Sequence, residues 1–215
     1  MRKRLISGVA AILAATIWVG GPTGFVAGEA RAQSVVPVAP TGMAVHASDH
    51  VLGKADAPVT IIEYASLTCG HCGAFHTQIL PELKKKYIDT GKVKLVFRDF
   101  PLDRAAAQGA MLAECAGNDR YFAVLDTLFS TQASWAVSKD PAADLGKLLR
   151  LGGMGEPEIK ACLANEKLLE SLLAERQGGE ALGVTSTPTL FIGGEKHVGL
   201  KALADYDAAI AKLIK

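Results

Sequence analysis

Two short β-rich segments flank a long block that reads as helix after helix, and this separation restricts the fold more than any other feature of the chain. Val59 to Ala65 is a β-branched run after Pro58, and Lys92 to Phe97 is a second run after the Thr90-Gly91 turn. Between them, Cys69 to Asp89 has a helical pattern with Pro81 inside it, which removes a backbone donor and predicts a kink. Strand, helix and strand in so short a span form a βαβ unit. The pattern then turns helical at Arg104–Ala116, Asp119–Ser130, Pro141–Leu151, Glu156–Ala164 and Glu166–Leu182. Pro188–Ile192, Gly193-Gly194 and Glu195–Val198 read as a hairpin, followed by a last helix over Leu200–Leu213. Residues 103–182 exceed any ordinary connection between two halves of a sheet, so they are expected to pack as a subdomain of their own. The fold class is therefore α/β, a βαβ half (48–102) and a ββα half (183–215) interrupted by a helical insertion (103–182).

The N-terminus reads as an address. Met1-Arg2-Lys3-Arg4 is a basic start, Leu5 to Val19 is mostly apolar, and Ala30-Arg31-Ala32 before Gln33 has the small-x-small pattern of a signal-peptidase site. Residues 1–32 are read as a secretory signal and 33–47 as a flexible leader. An uncleaved anchor is the alternative, although the apolar stretch is shorter than the roughly 20 residues a spanning helix needs. Export implies an oxidising compartment, the periplasm or its equivalent. Without the signal the chain carries 19 basic and 21 acidic residues. That balance gives no footprint for nucleic acid and no polybasic membrane surface. Four cysteines are too few for a disulfide-dense scaffold, which turns attention to their chemistry.

Cys69-Gly70-His71-Cys72 follows a predicted strand and opens a helix. A thiolate there faces unpaired backbone N–H groups and the positive end of the helix dipole, both of which lower its pKa. Cys69 is thus the exposed nucleophile candidate, and Cys72, three residues on, lies on the same helix face. His71 can add positive charge or a donor near the Cys69 sulfur. Two plainer readings compete: an inert crosslink, and half of a zinc site that recruits His76. No second Cys-x-x-Cys exists, and the strand-to-helix context favours redox use without a metal.

At this point the chain resembles the DsbA family of secreted thioredoxin-fold proteins over about residues 48–215. The resemblance is carried by Asp56-Ala57-Pro58-Val59-Thr60-Ile61-Ile62-Glu63-Tyr64, the Cys69-Gly70-His71-Cys72 site, Phe97-Arg98-Asp99-Phe100-Pro101-Leu102, and Gly183 to Gly194 with Thr187-Pro188. It implies a thioredoxin-like fold with an inserted helical subdomain, and a thiol-disulfide oxidoreductase that needs no cofactor. Cys69 would exchange with substrate while Cys72 resolves the mixed disulfide. It also implies a cis Thr187-Pro188 bond opposite the cysteines, where a substrate peptide can pair with exposed backbone. The partners implied are reduced or unfolded exported proteins and a membrane redox partner, with the protein acting as a monomer. Gly70 stands where the best-known members have proline, Gly-His is also the dipeptide of protein disulfide isomerases, and Thr187 resembles the isomerase and reductase branches. The expected activity is accordingly an oxidase of moderate strength with some isomerase ability. A binding protein that merely keeps the fold is the alternative from another class.

Read from residues alone, Glu63 is an edge-strand side chain facing water, since burying an isolated carboxylate is costly. In similar proteins an acidic residue here lies beneath the cysteine pair and helps move the proton of the buried thiol. Some relatives also carry a second, non-catalytic disulfide in the helical region, which would pair Cys115 with Cys162; the alternative is two buried thiols acting as small apolar groups. His76, His197 and the Lys84-Lys85-Lys86 run are expected to be solvated.

Overall fold

The structure, a computed structural model, describes residues 43–214. The signal reading of 1–32 and the leader up to residue 42 lie outside the described residues. No described helix is long and apolar enough to cross a membrane.

The two β-branched runs form the centre of the sheet. β2 (Val59–Ala65) and β3 (Val93–Asp99) run parallel, from Val59 opposite Val93 to Ala65 opposite Asp99. Parallel strands need cover on both faces, and both strands are buried at five consecutive positions of their C-terminal ends. β4 (Thr189–Ile192) lies antiparallel on the other side of β2, and β5 (Glu195–Val198) closes the hairpin. Gly193 and Gly194 both have positive φ, +57° and +93°, as a tight two-residue hairpin turn demands. β1 (His50–Leu52) adds antiparallel to the outer edge of β3, so the order is β1-β3-β2-β4-β5 with β2 central.

The helix after β2 is continuous from Gly70 to Ile88 but changes its winding. α1 (Gly70–Ala74) passes into a π-helical turn (Phe75–Ile79), α2 (Leu80–Leu83) carries Pro81 in its first turn, and a second π-helical turn (Lys84–Ile88) follows. The wide turn before Pro81, closed by Leu80 N–H donating to the Phe75 carbonyl, lets the helix run on past a residue with no N–H of its own. The Lys84-Lys85-Lys86 run is half-buried to exposed.

The insertion comprises α3 (Arg104–Cys115), α4 (Asn118–Ser130), α5 (Gln132–Trp135), α6 (Pro141–Leu151), α7 (Glu156–Leu163) and α8 (Glu166–Ala181). Side chains of Asp103, Asp140 and Asn165 cap α3, α6 and α8 by accepting from Ala106, Ala143 and Leu168 N–H. Trp135 is fully buried among Leu67, Leu112 and Leu128 of one cluster, and its indole N–H donates to the Leu128 carbonyl. A disulfide joins Cys115 of α3 to Cys162 of α7. Its half-buried and buried cysteines belong to the same packed cluster. α9 (Leu203–Ala211) returns to the sheet and packs Tyr206 and Ile210 near Phe75 and Leu190.

The structure departs from the sequence expectations at three places. β1 was not anticipated, because three residues are too short for an alternation to register. Arg98 nevertheless ties this region down: it donates to both carboxylate oxygens of Asp49 at 3.0 and 2.9 Å and to the Ala44 carbonyl at 2.8 Å. Residues from Ala44 on are thereby held to β3, ahead of the start expected near Ser48. α5 lies between two of the helices read from the sequence and was not assigned there, and α9 begins at Leu203 rather than Leu200, after Gly199 turns with φ of +75°.

Insertion and sheet meet at a seam of carboxyl groups. Asp99 of β3 is buried and accepts from the Tyr121 hydroxyl at 3.3 Å, while its backbone N–H donates to Glu175 of α8 at 2.7 Å. His50 stacks on Tyr121 with ring centres 3.5 Å apart and bonds Glu114 at 3.0 Å. Burial pushes the Glu175 carboxyl up to about 7. A carboxyl raised in the folded state favours folding at low pH and loses that advantage as pH climbs through its folded value. Glu175→Gln keeps an acceptor for Asp99 N–H without the charge. In denaturant titrations it is expected to be more stable than the parent at pH 8, with the difference vanishing below about pH 4. Replacing Cys115 and Cys162 together by Ala opens a loop of 47 residues and is expected to lower stability by about 4 kcal/mol in the same measurement.

Candidate active site

β2 ends at Ala65, and the chain turns through Ser66, Leu67 and Thr68 to bring Cys69 to the N-cap of α1. Cys69 N–H donates to the Ser66 carbonyl and the Cys69 carbonyl accepts from Gly73 N–H, each at 3.0 Å. The insertion braces this turn from outside. Gln132 of α5 donates through one amide nitrogen to the carbonyls of Leu67 (2.7 Å) and Cys69 (3.0 Å). Thr68 donates to Asp103, the cap of α3, at 2.7 Å. A side chain at Gly73 would collide with Gln132, its β-carbon falling 2.7 Å from Oε1.

The two cysteines are free thiols with different surroundings. Cys69 is half-buried and Cys72 is sealed at 0% exposure. The Cys69 thiol is lowered to about 5: a hydrogen bond from Cys72 is the largest cause, partly opposed by desolvation. The Thr187 side chain and the backbone N–H groups of Cys72 and His71 lower it further. Burial pushes the Cys72 thiol far up, and the Cys69 sulfur and the negative Glu63 raise it again. His71 acts on Cys69 as a donor through its backbone N–H, and its side chain is exposed.

Across from the helix tip, the Thr187-Pro188 peptide bond is cis. In the thiol form Cys69 Sγ donates to the Thr187 carbonyl at 3.3 Å. Thr187 and Pro188 are both buried, and the Thr187 hydroxyl has no other protein partner, which leaves it free to donate to the thiolate.

Beneath the pair, Glu63 departs from the water-facing edge position read from residues alone. Its strand is the central one, Glu63 stands between Phe97 of β3 and Leu190 of β4, and it is fully buried. His76, expected in solvent, is buried as well, with Nε2 3.1 Å from Glu63 Oε2. The ring stacks on Phe129 of α4 at 4.0 Å between centres and meets Phe75 and Phe97 edge-on. His197 also differs from expectation: it is part-buried, 3.8 Å from Glu195. No three His, Cys, Asp or Glu side chains among the described residues are grouped to hold a metal ion. The sequence reading missed Gln132 altogether. The signal for His76 was its spacing, four residues after Cys72 and hence on the same helix face.

A dithiol at the tip of the helix after the central strand, facing a cis-proline loop, defines a thioredoxin-fold dithiol protein. The thioredoxin family profile matches residues 46–212. A Rickettsia bellii protein named as a protein-disulfide oxidoreductase is 35% identical over 170 residues, 78% of this chain and 65% of that protein. The disulfide bond formation protein D of Bacillus subtilis is 28% identical over 165 residues, 73% of this chain and 72% of that one. The chain spans between 54% and 65% of the length of the rickettsial relatives it matches. Among solved structures, alpha-DsbA1 of Wolbachia pipientis superposes with a TM-score of 0.75 at 33% identity, covering 80% of this chain and 93% of that one. This chain belongs to the DsbA family of thioredoxin-fold proteins.

The asymmetry of the sulfurs is open to direct measurement. The rate of iodoacetamide alkylation of the reduced protein, followed against pH, is expected to titrate with a midpoint near 5 at Cys69, whereas a free thiol titrates near 8.5. Peptide mapping is expected to find Cys72 unlabelled until the protein is denatured.

Proposed function

We propose that this protein is a thiol-disulfide oxidoreductase that makes or exchanges disulfides in exported proteins, working in the periplasm. The observation that carries the reading is the pairing of a helix-tip sulfur whose thiol is lowered to about 5 with a sealed sulfur whose thiol is pushed up. Only the first can be attacked by, or attack, a molecule in solution. In the oxidised protein a substrate thiolate attacks Cys69 Sγ, the Cys69–Cys72 bond breaks, and the electron pair passes to the Cys72 sulfur, which takes up a proton. A second substrate thiolate then attacks the substrate sulfur of the mixed disulfide. A substrate disulfide forms and Cys69 leaves as a thiolate. Two electrons have moved from substrate to protein. Cys69 leaves readily because its anion is stabilised by backbone N–H groups and the Cys72 thiol.

The same stabilisation supports a flow of electrons from substrate to protein. Whatever favours the Cys69 thiolate favours the reduced pair over the disulfide, which makes the disulfide the stronger oxidant. The contribution is present above the range of an ordinary thiol and disappears as pH falls through about 5. Glu63 serves as the acid and base for Cys72. The loop at Thr187-Pro188 offers backbone groups next to Cys69, where an extended peptide can pair by main-chain hydrogen bonds without regard to its sequence. A membrane redox partner returns the pair to the disulfide, and the protein acts as a monomer. The Thr187 and Gly70 positions speak for an oxidase of moderate strength that also isomerises.

A glutathione redox titration combined with refolding of reduced and scrambled substrates tests this. The expected outcome is a potential well above that of thioredoxin, oxidation of reduced peptide, and slower repair of scrambled substrate. A potential near the thioredoxin value of about −270 mV with no peptide oxidation removes the oxidase reading. Cys69→Ser is expected to abolish both activities, and Cys72→Ser to trap substrate on Cys69 as a mixed disulfide visible by mass spectrometry. A double Cys→Ser variant with full activity would instead support a binding protein.

A further inference from the structure

The turn that presents Cys69 is clipped to the insertion by a single amide. Gln132 Nε2 carries two hydrogens and meets two carbonyls, that of Leu67 at 2.7 Å and that of Cys69 at 3.0 Å. These carbonyls stand on either side of Thr68, so the amide closes across the last residues before the helix. The Cys69 carbonyl also receives Gly73 N–H at 3.0 Å, which occupies both of its lone pairs. Cys69 keeps an extended backbone, with φ of −79° and ψ of 117°, as an N-cap residue must. So placed, its sulfur takes hydrogen bonds from the backbone N–H groups of Cys72 and His71.

The clip is rooted in a stiff element. The Thr131 hydroxyl donates to the Thr127 carbonyl and the Ser134 hydroxyl to the Thr131 carbonyl, both at 2.7 Å, which ties α5 to the end of α4. Trp135, three residues after Gln132, is fully buried and bonded to Leu128. On the facing helix, Gly73 leaves room for the amide: a β-carbon there would lie 2.7 Å from Gln132 Oε1 and 3.2 Å from its Cδ. Gly73 sits inside α1 without a positive φ, where alanine would be the better helix former. What the glycine provides is passage for the Gln132 side chain.

A thiolate at Cys69 feels the carbonyl of its own residue, whose oxygen carries partial negative charge. A donor on that oxygen lessens the repulsion, and a fixed turn keeps the sulfur on its N–H donors. Both effects favour the thiolate over the uncharged disulfide. We propose that Gln132 is a positioning residue for Cys69, through which the insertion holds the reactive sulfur on its backbone donors and makes the disulfide a stronger oxidant. This rests on the exchange reading given above. The equilibrium that reads it is the reduction of the Cys69–Cys72 bond by two molecules of glutathione. That bond breaks, the bond of glutathione disulfide forms, and two electrons pass to the protein. Of the two protons released by glutathione, one goes to Cys72 and one to solvent, since Cys69 remains a thiolate. Gln132 bonds the Cys69 carbonyl rather than the sulfur, and so acts through the backbone.

The test uses the full-length protein, with the alkylation midpoint of Cys69 and the glutathione equilibrium measured for each variant. Gln132→Met keeps the length of the side chain and removes its donors. Its midpoint is expected to rise by about one pH unit, the effect of about one net hydrogen bond lost. A midpoint raised this far from about 5 still lies below pH 7, so at neutral pH the whole shift appears in the equilibrium. That equilibrium is expected to move about tenfold toward the disulfide form, or about 30 mV in potential. Loosened packing alone would lower the denaturation midpoint without moving these two together. Gly73→Ala pushes the amide aside while Gln132 stays in the chain, and it decides the matter should the methionine variant not fold. Its shifts are expected in the same direction, with the double variant shifting no further than the larger single one. Parent-like values in the deciding variant overturn the proposal, as do a midpoint that moves without the equilibrium and additive shifts in the double variant. A parent that does not exchange with glutathione removes the exchange reading itself.

Discussion

Two sulfur atoms three residues apart on one helix are given opposite acidities by where the helix begins. Had α1 started one turn earlier, Cys69 would lie inside the helix with its N–H groups already spent on carbonyls, and the thiolate would lose its donors. Had the tip projected further from the sheet, Cys72 would reach water and the two thiols would titrate alike. The start is set by the length of β2, by the Ser66 carbonyl receiving Cys69 N–H, and by Gln132 holding the Leu67 and Cys69 carbonyls. The chemistry is thus an outcome of strand length and loop bracing as much as of cysteine spacing.

This gives the insertion a role beyond filling space. α3 supplies Asp103 to Thr68, α5 supplies Gln132 to the turn, and α4 supplies Phe129 as a floor for His76. The cap, the amide and the ring each touch a different part of the site. The disulfide between α3 and α7 keeps α3 in its bundle, while the carboxyl seam at Asp99, Tyr121 and Glu175 fastens the bundle to β3. Raising the charge of that seam weakens the attachment, and the attachment is what holds the brace. Site geometry and subdomain docking therefore respond to the same interactions.

Much of this was legible in the sequence. Val59–Ala65 and Lys92–Phe97 have the β-branched density of doubly covered strands, and the Gly193-Gly194 pair marks a turn that only positive φ can make. The helix-opening position of Cys69 could be read from the strand before it. What escaped was information held in neighbours rather than in the local run. Nothing near Glu63 says whether its strand is central or at an edge; that depends on β4, more than 120 residues away. β1 and α5 are too short to leave a period, so Gln132 had no pattern to stand out from. The donor that His71 gives Cys69 is its backbone N–H, a group that any residue but proline brings, so the residue type at that position could not announce it.

His76 shows the limit most clearly. Its i+4 spacing from Cys72 put it on the right face, and a lone histidine on a helix with three lysines downstream still reads as wet. The π-helical turn alters that outcome. By widening the helix at Phe75–Ile79, the chain absorbs the missing N–H of Pro81 and, in the same turn, holds the His76 ring between Phe129 and Glu63. A regular helix rotates each residue by a fixed angle, so a one-residue bulge changes which side chain faces the sheet from there on. A π-turn and a histidine buried beneath the dithiol thus share one stretch of helix, and both depend on neighbours in β2 and α4 that a local reading does not see.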